Sequence, residues 1–326
     1  MNSRARFGET MAYGKPDRPP YFEEGIRPEV IDAWREQGLP KETDPWDLFP
    51  VDRRQEIQLE IDPLPRPEKF PSKQSDLKEF ENLLDINNPK RVPEDWPQLI
   101  EDSKSGDVLT MLRVHRGFFL SMGVYDWQRF TEVMYLTMDD PEFVRQAMAL
   151  TGEFASQVAE RVLSEATVDA AVFSEPIGGN DRPLLSPQMY EDLVLDSYQP
   201  ILDVLDRYGV KTLIFRTYAN ARLLIPAILK RGFNCLWACE VNAEVMDYQG
   251  IRQEFGRDLR LIGGIDLDAL RAGPEAIQRE LETKVPRLLE DGGYIPLADG
   301  RIREDMPYDH YVYYRRLMDQ ILLSVD

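Results

Sequence analysis

The residues able to do chemistry in this sequence stand at the ends of short apolar runs. "AAVFSE" ends in Glu175, "LIFRT" carries Arg216, and "NCLWACE" ends in Glu240. "LIGGID" ends in Asp266 and "YIPLAD" in Asp299. A guanidinium stays protonated and presents a planar fork of donors, so Arg216 could clamp an anionic group; it could equally be the counter-ion of Glu175 or Glu240. Carboxylates crowded together cannot all ionise cheaply, so at least one is expected to have a raised pKa or to bind a cation. Glu175, Glu240 and Asp299 are therefore the candidates for general acid or base, with Asp266 beside Arg216 on the substrate.

Side chains alternate along a strand, which puts Leu236, Ala238 and Glu240 on one face and Cys235, Trp237 and Cys239 on the other. With Glu240 turned into the site, both cysteines face the helical layer as packing residues. His115 lies between apolar residues in "LRVHRGFF" and reads as packed or at a rim. His310 begins the last helix as a cap or a solvated residue. Neither histidine has a partner at metal-ligand spacing. Tyr308, Tyr311, Tyr313 and Tyr314 read as core with their hydroxyls satisfied.

The elements that must position these groups alternate. "VDAAVFSE", "KTLIFRT", "CLWACEV" and "LRLIGGID" are each followed by a helical stretch, and "YIPLAD" precedes a final helix in "YDHYVYYRRLMDQILLSV". Strand then helix at this spacing implies a parallel sheet with helical crossovers. No GxGxxG follows a strand, which disfavours a dinucleotide-binding fold. The number of repeats and the size favour a (β/α)8 TIM-type barrel, whose catalytic groups sit at the C-terminal strand ends. "WQRFTEVMYLTMDDPEFVRQAMALTGEFASQVAERVLSE" is helical, with a break at "DDP" and a restart at Pro141. Residues 1–100 are rich in proline and charge and read as an irregular extension packed on a barrel body of residues 101–326, the whole being one domain. Within it, "RPEVIDAWREQG" is a short helix and "EIQLEID" a strand with Ile57, Leu59 and Ile61 alternating.

The chain has 326 residues, 43% of them hydrophobic and 30% charged, with a formal charge of −19. A surface this acidic argues against nucleic acid and anionic membranes as partners. No apolar run is long enough to span a bilayer, and the start lacks the apolar core of a secretory signal. Two closely spaced cysteines do not make a disulfide framework, so the expected compartment is the cytoplasm.

The order of these motifs resembles the uroporphyrinogen decarboxylase superfamily, which includes corrinoid-linked methyltransferases. The resemblance is carried by "KPDRPPYFEEGI", "FFLSMGVYDWQRFTEVMYLTMDDPEF" and "FSEPIGGNDRPLLSPQMYEDLVLDSYQPILD", then by "RTYANARLLIPAILKRGFNCLWACEV", "DLRLIGGIDLDALRAGPEAI" and "GGYIPLADGRIREDMPYDHYVYY". It implies a (β/α)8 barrel with the site at its mouth, where Tyr218 and Asn220 join Arg216 and Asp266 as substrate-binding residues. Zinc-dependent members carry His and Cys ligands where "RTYAN" puts Arg216 and Tyr218, and the later Cys is absent from "LADGRIREDMP". No metal is therefore expected. True decarboxylases have an Arg-rich segment near the N-terminus; here Glu23 and Glu24 stand in its place, with only Arg27 left.

The implied function is methyl transfer or demethylation of a small anionic or aryl substrate. It would need no tightly bound cofactor, with a corrinoid carried by a partner protein. The alternatives are a metal-independent carboxy-lyase and a non-catalytic barrel that binds a ligand or a corrinoid protein.

Overall fold

Short apolar runs become strands and amphipathic stretches become helices in a computed structural model that describes residues 1–239 and 245–324. The chain divides into two compact units. One is made of residues 55–106 and 110–234, the other of residues 1–54, 107–109 and 235 onward.

The first of these units holds, in sheet order, β1 (Arg54–Ile57), β2 (Leu109–His115), β3 (Ala170–Glu175) and β4 (Thr212–Tyr218), with Arg54 and Leu109 counted in the other unit. β2, β3 and β4 run parallel, so each return passes through helix. β2 escapes the sequence reading because "LTMLRVH" is buried along nearly its whole length and shows no alternation. The expected break at "DDP" is present: helices Trp127–Asp139 and Pro141–Glu165 meet at Asp140, whose side chain accepts a hydrogen bond from the Phe143 N–H at 3.0 Å. Between β3 and β4 the single expected helix is instead three pieces, Pro187–Leu193, a 3-10 turn Leu195–Tyr198, and Gln199–Arg207. Pro200 has no N–H to continue an earlier helix, and it sits comfortably in the first turn of a new one.

Packing fixes which face of this sheet meets the helices. Phe173 lies edge-on to Phe233 at 4.8 Å and beside Tyr198 at 5.2 Å, and Phe215 packs on Phe233 at 5.7 Å. The odd-numbered residues of β3 and β4 therefore face the helical layer. Ser174 and Arg216, paired in register, face the other way.

The proline-rich stretch that follows β1 is held by Arg91. Its buried guanidinium donates to the carbonyls of Asp85, Glu60, Asp62 and Leu83 at 2.7–2.8 Å and stacks on Phe154.

The other unit carries β5 (Cys235–Cys239), β6 (Arg260–Gly263) and β7 (Tyr294–Ile295), also parallel. β7 is cut to two residues because Pro296 cannot donate to the ladder. Isolated bridges at Ile265–Ala298 and Ile26–Ile302 carry the pairing further. Seven strands are formed among the described residues.

Residues 1–54, part of this unit, are tied together by buried polar contacts. The Asp52 carboxylate accepts from the Tyr21 N–H and from Arg18, both at 2.8 Å, and also pairs with Arg6. A carboxylate with three donors can be kept out of water. The expected helix Pro28–Glu36 buries Trp34, whose indole N–H donates to the Met306 carbonyl at 2.7 Å. Tyr311 and Tyr314 are core, as expected, while Tyr308 and Tyr313 are half-buried. Trp237 packs against Phe22 and beneath the guanidinium of Arg54. By alternation, Cys235 and Cys239 share the face of Trp237. Both are buried, and burial pushes the Cys235 thiol up.

Candidate functional site

Glu175 and Arg216, expected to share one cavity, lie on opposite sides of the sheet. Glu175 sits on the helix-facing side of β3, opposite Thr217. Its buried carboxylate accepts from the Phe118 N–H at 2.8 Å and from the hydroxyls of Tyr190 at 3.1 Å and Tyr198. Burial raises it to about 7 against the pull of these three donors. Gly117 makes room for it: at a φ of +87°, any Cβ there would meet the carboxylate oxygen at 2.5 Å.

His115 belongs to the same helix-side cluster. Its Nδ1 accepts from the Gly117 N–H at 2.8 Å, its ring lies 4.5 Å from that of Tyr198, and burial holds it neutral at about 3. The expected packed histidine is what is found.

On the opposite face Arg216 is buried and forms a two-pronged ion pair with Glu56 of β1, at 3.0 and 3.3 Å. Such a fork matches a carboxylate and fixes both partners. Glu56 is thus a counter-ion of Arg216, and Glu175, on the other side of the sheet, is not; Glu240 lies outside the described residues.

Arg113 of β2 approaches the same carboxylate. Its guanidinium donates to Gln58 at 3.0 Å and is 3.9 Å from Glu56, and its side chain keeps 22% of its exposure. Burial, and then the like charge of Arg216, lower its pKa. Tyr218, half-buried at the end of β4, is an electrostatic neighbour of Arg113. Glu56, Gln58 and Arg113 escape the sequence reading, although a signal exists. Ile57 and Leu59 are fully buried, so the interleaved Glu56 and Gln58 must point away from the apolar layer.

Two further residues expected at the substrate make local hydrogen bonds that shape their loops. Asp266 is the N-cap of helix Leu267–Ala272, accepting from the Asp268 N–H at 2.8 Å. Asn220 ties two loops: its side-chain amide donates to the Asp181 carbonyl at 2.8 Å and its oxygen accepts from the Arg222 N–H. Its backbone bridges to Gly179. Gly178 must be glycine here, since a Cβ would lie 2.0 Å from the Tyr218 carbonyl. Asp299 is buried at the far end of the β7 stretch, its N–H donating to the Ile265 carbonyl at 2.7 Å, and is an electrostatic neighbour of Tyr248.

A family model described as "Uroporphyrinogen decarboxylase (URO-D)" matches residues 121–298. The chain belongs to the URO-D family. This family is enzymatic, and its fold is the α/β TIM barrel. A search of curated proteins finds no match. Among solved structures, a GH26 beta-mannanase from Bacteroides ovatus is 16% identical over 72% of this chain and 76% of that one, with a TM-score of 0.37.

The zinc site of some URO-D relatives does not fit the residues present. Arg216 stands at a ligand position, and its guanidinium has no lone pair to offer and is already forked onto Glu56. Glu23, in the place of the decarboxylases' arginines, is buried. It accepts from the Tyr21 hydroxyl beside Tyr314 and Arg315, and burial raises its pKa. No described helix is long and apolar enough to cross a membrane.

Proposed function

We propose that this URO-D family member is an enzyme acting on a small anionic substrate, a carboxylate or an aryl compound bearing one, with Arg113 as the cation that receives it. The observation carrying this is the unequal sharing of Glu56. That carboxylate is forked by Arg216, while Arg113 stays 3.9 Å away and partly exposed. A guanidinium whose nearest acid is engaged elsewhere is suited to a bidentate carboxylate from solution. Arg216 becomes a positioning residue, holding Glu56 and through it the polar face of β1.

The reaction proposed is methyl transfer or demethylation with a corrinoid carried by a separate protein, which would supply the methyl acceptor. With a guanidinium in place of the histidine ligand, zinc-activated thiol chemistry has no support in "RTYAN". A metal-independent carboxy-lyase is the second reading. It is favoured by the same Arg113 fork, which could hold a carboxylate through loss of carbon dioxide.

Titration calorimetry with benzoate and methoxybenzoate on the intact chain tests the site. Binding that Arg113→Gln abolishes is expected; binding unchanged in that variant would remove Arg113 from the proposal. Methyl loss from methoxybenzoate to added cob(I)alamin supports transfer. Carbon dioxide release instead would move the protein to the second reading. Ligand stabilisation without any product would favour a binding role.

A further inference from the structure

Three arginines converge on one tyrosine in the unit that holds β5, β6 and β7. The guanidinium carbons of Arg257 and Arg260 lie 5.0 Å from the centre of the Tyr13 ring, and that of Arg252 lies 5.6 Å from it. No two of these carbons are therefore more than about 11 Å apart, close to the Debye length of ~10 Å at 0.1 M salt, so their repulsion is only partly screened. The chain has 58 acidic residues against 39 Lys and Arg, yet none of the three arginines pairs with a carboxylate among the described residues. The tyrosine ring attracts each cation through its quadrupole but carries no net charge to offset them.

The ring that gathers the cations is itself fixed. Tyr13 has a left-handed backbone, at a φ of 57°, which is uncommon for a residue with a side chain. Its ring lies against Gly293, where a Cβ would come within 2.4 Å of a ring carbon. Its hydroxyl accepts from Arg252 at 2.9 Å and donates to the Leu259 carbonyl at 3.3 Å.

Donors remain unspent around it. Arg252 is buried and gives its Nη groups to Tyr13 and to the carbonyls of Gly256, Gly292 and Gly293. Its Nε is buried and meets no acceptor among the described residues. Arg260, half-buried, spends its Nε on the Met11 carbonyl at 2.8 Å and keeps its Nη groups. The exposed Arg257 side chain makes no hydrogen bond among the described residues.

We propose that this cluster binds the phosphate group of a small soluble molecule, at a site separate from Arg113. Guanidinium forks match phosphate oxygens, and a dianion offsets two of the three charges. The net charge of −19 argues against larger carriers of phosphate. It repels nucleic acid and anionic bilayers at long range, whereas a small dianion reaches a locally basic patch. Arg260 is the first residue of β6, so the site lies at the N-terminal end of that strand. Barrel chemistry belongs to the opposite ends, which makes the role one of regulation or stabilisation. Arg260 is tied to Met11, the last residue of helix Ser3–Met11, and Arg252 belongs to helix Tyr248–Phe255. A phosphate held by the cluster therefore fastens the N-terminal helix to β6 and to that second helix.

Titration calorimetry of the intact chain with glycerol 3-phosphate and with inorganic phosphate, at an ionic strength set by chloride, tests the proposal. Both probes should bind, and Arg257→Gln should weaken them about 10-fold or more, the loss of one charge-assisted contact. Arg257 is exposed, so the variant keeps the fold, and its melting curve without phosphate checks this. Binding should survive Arg113→Gln, which separates this site from the proposed substrate site. Phosphate should also raise the melting temperature of the intact chain more than that of Arg257→Gln. No binding at millimolar probe, equal binding to Arg257→Gln, or binding that Arg113→Gln abolishes would overturn the proposal. So would binding to vesicles containing phosphatidic acid with none to either soluble probe.

Discussion

Replacing Glu175 by Gln should change how stability depends on pH, with a sign that the burial of Glu175 dictates. In the folded chain this carboxylate is raised from an ordinary 4.5 to about 7, with burial as the largest cause. A raised carboxyl favours the folded state most when protonated. The contribution is fully present below pH 4.5 and is lost as pH climbs through about 7. At about 1.4 kcal/mol per pH unit, a rise from 4.5 to about 7 corresponds to a loss on the order of 3 kcal/mol across that window. The amide introduced by Glu175→Gln does not ionise, so the variant lacks this slope. That amide keeps an oxygen to accept from the Phe118 N–H, and the Tyr190 and Tyr198 hydroxyls can turn to meet its NH₂. The assay is urea denaturation of both proteins at steps from pH 4 to pH 8. The difference in unfolding free energy should move in favour of Glu175→Gln as pH rises, levelling off above 7. A difference that stays flat over the whole range would refute a buried Glu175 that pays desolvation on ionising.

The remaining predictions concern groups whose roles the structure reassigns. Glu56→Gln leaves the guanidinia of Arg113 and Arg216 without the carboxylate between them and should cost about 2 kcal/mol, discounted for the partial exposure of Glu56. The same change should tighten benzoate binding by adding net positive charge; thermal melting and calorimetry read the two effects, and weaker benzoate binding would contradict the assignment of Arg113. Asp266→Ala removes a helix cap, so it should cost about 1 kcal/mol in chemical denaturation and leave turnover unaltered. A loss of turnover beyond that explained by unfolding would return Asp266 to the substrate.

Element types were legible because they rest on local rules. Pro141 after two aspartates starts a helix, the run at Pro28 is capped and amphipathic, and β3 through β6 are apolar runs followed by helical periodicity. The facing of the strands was not legible from alternation, which divides residues into two sets without saying which set meets the helices. Phe173, two residues before Glu175, held the clue, because an aromatic residue of that size is more readily housed between sheet and helices. Asp266 could have been read as a cap from its place before "LDALRAG", but its strand-end position suggested the site. Glu56 was hidden by attention to the apolar half of β1. The ion pair between Glu56 of β1 and Arg216 of β4 spans 160 residues of sequence, and no local pattern announces it.

The stitch between Gly178–Gly179 and Tyr218–Asn220 has a consequence for how this protein can diversify. Because the connection leaving β3 is laced by backbone to the one leaving β4, neither can be lengthened or re-angled alone without tearing the other loose. Variation in what this half of the molecule recognises must then come from exchanging side chains on a fixed frame, or from remodelling both segments at once.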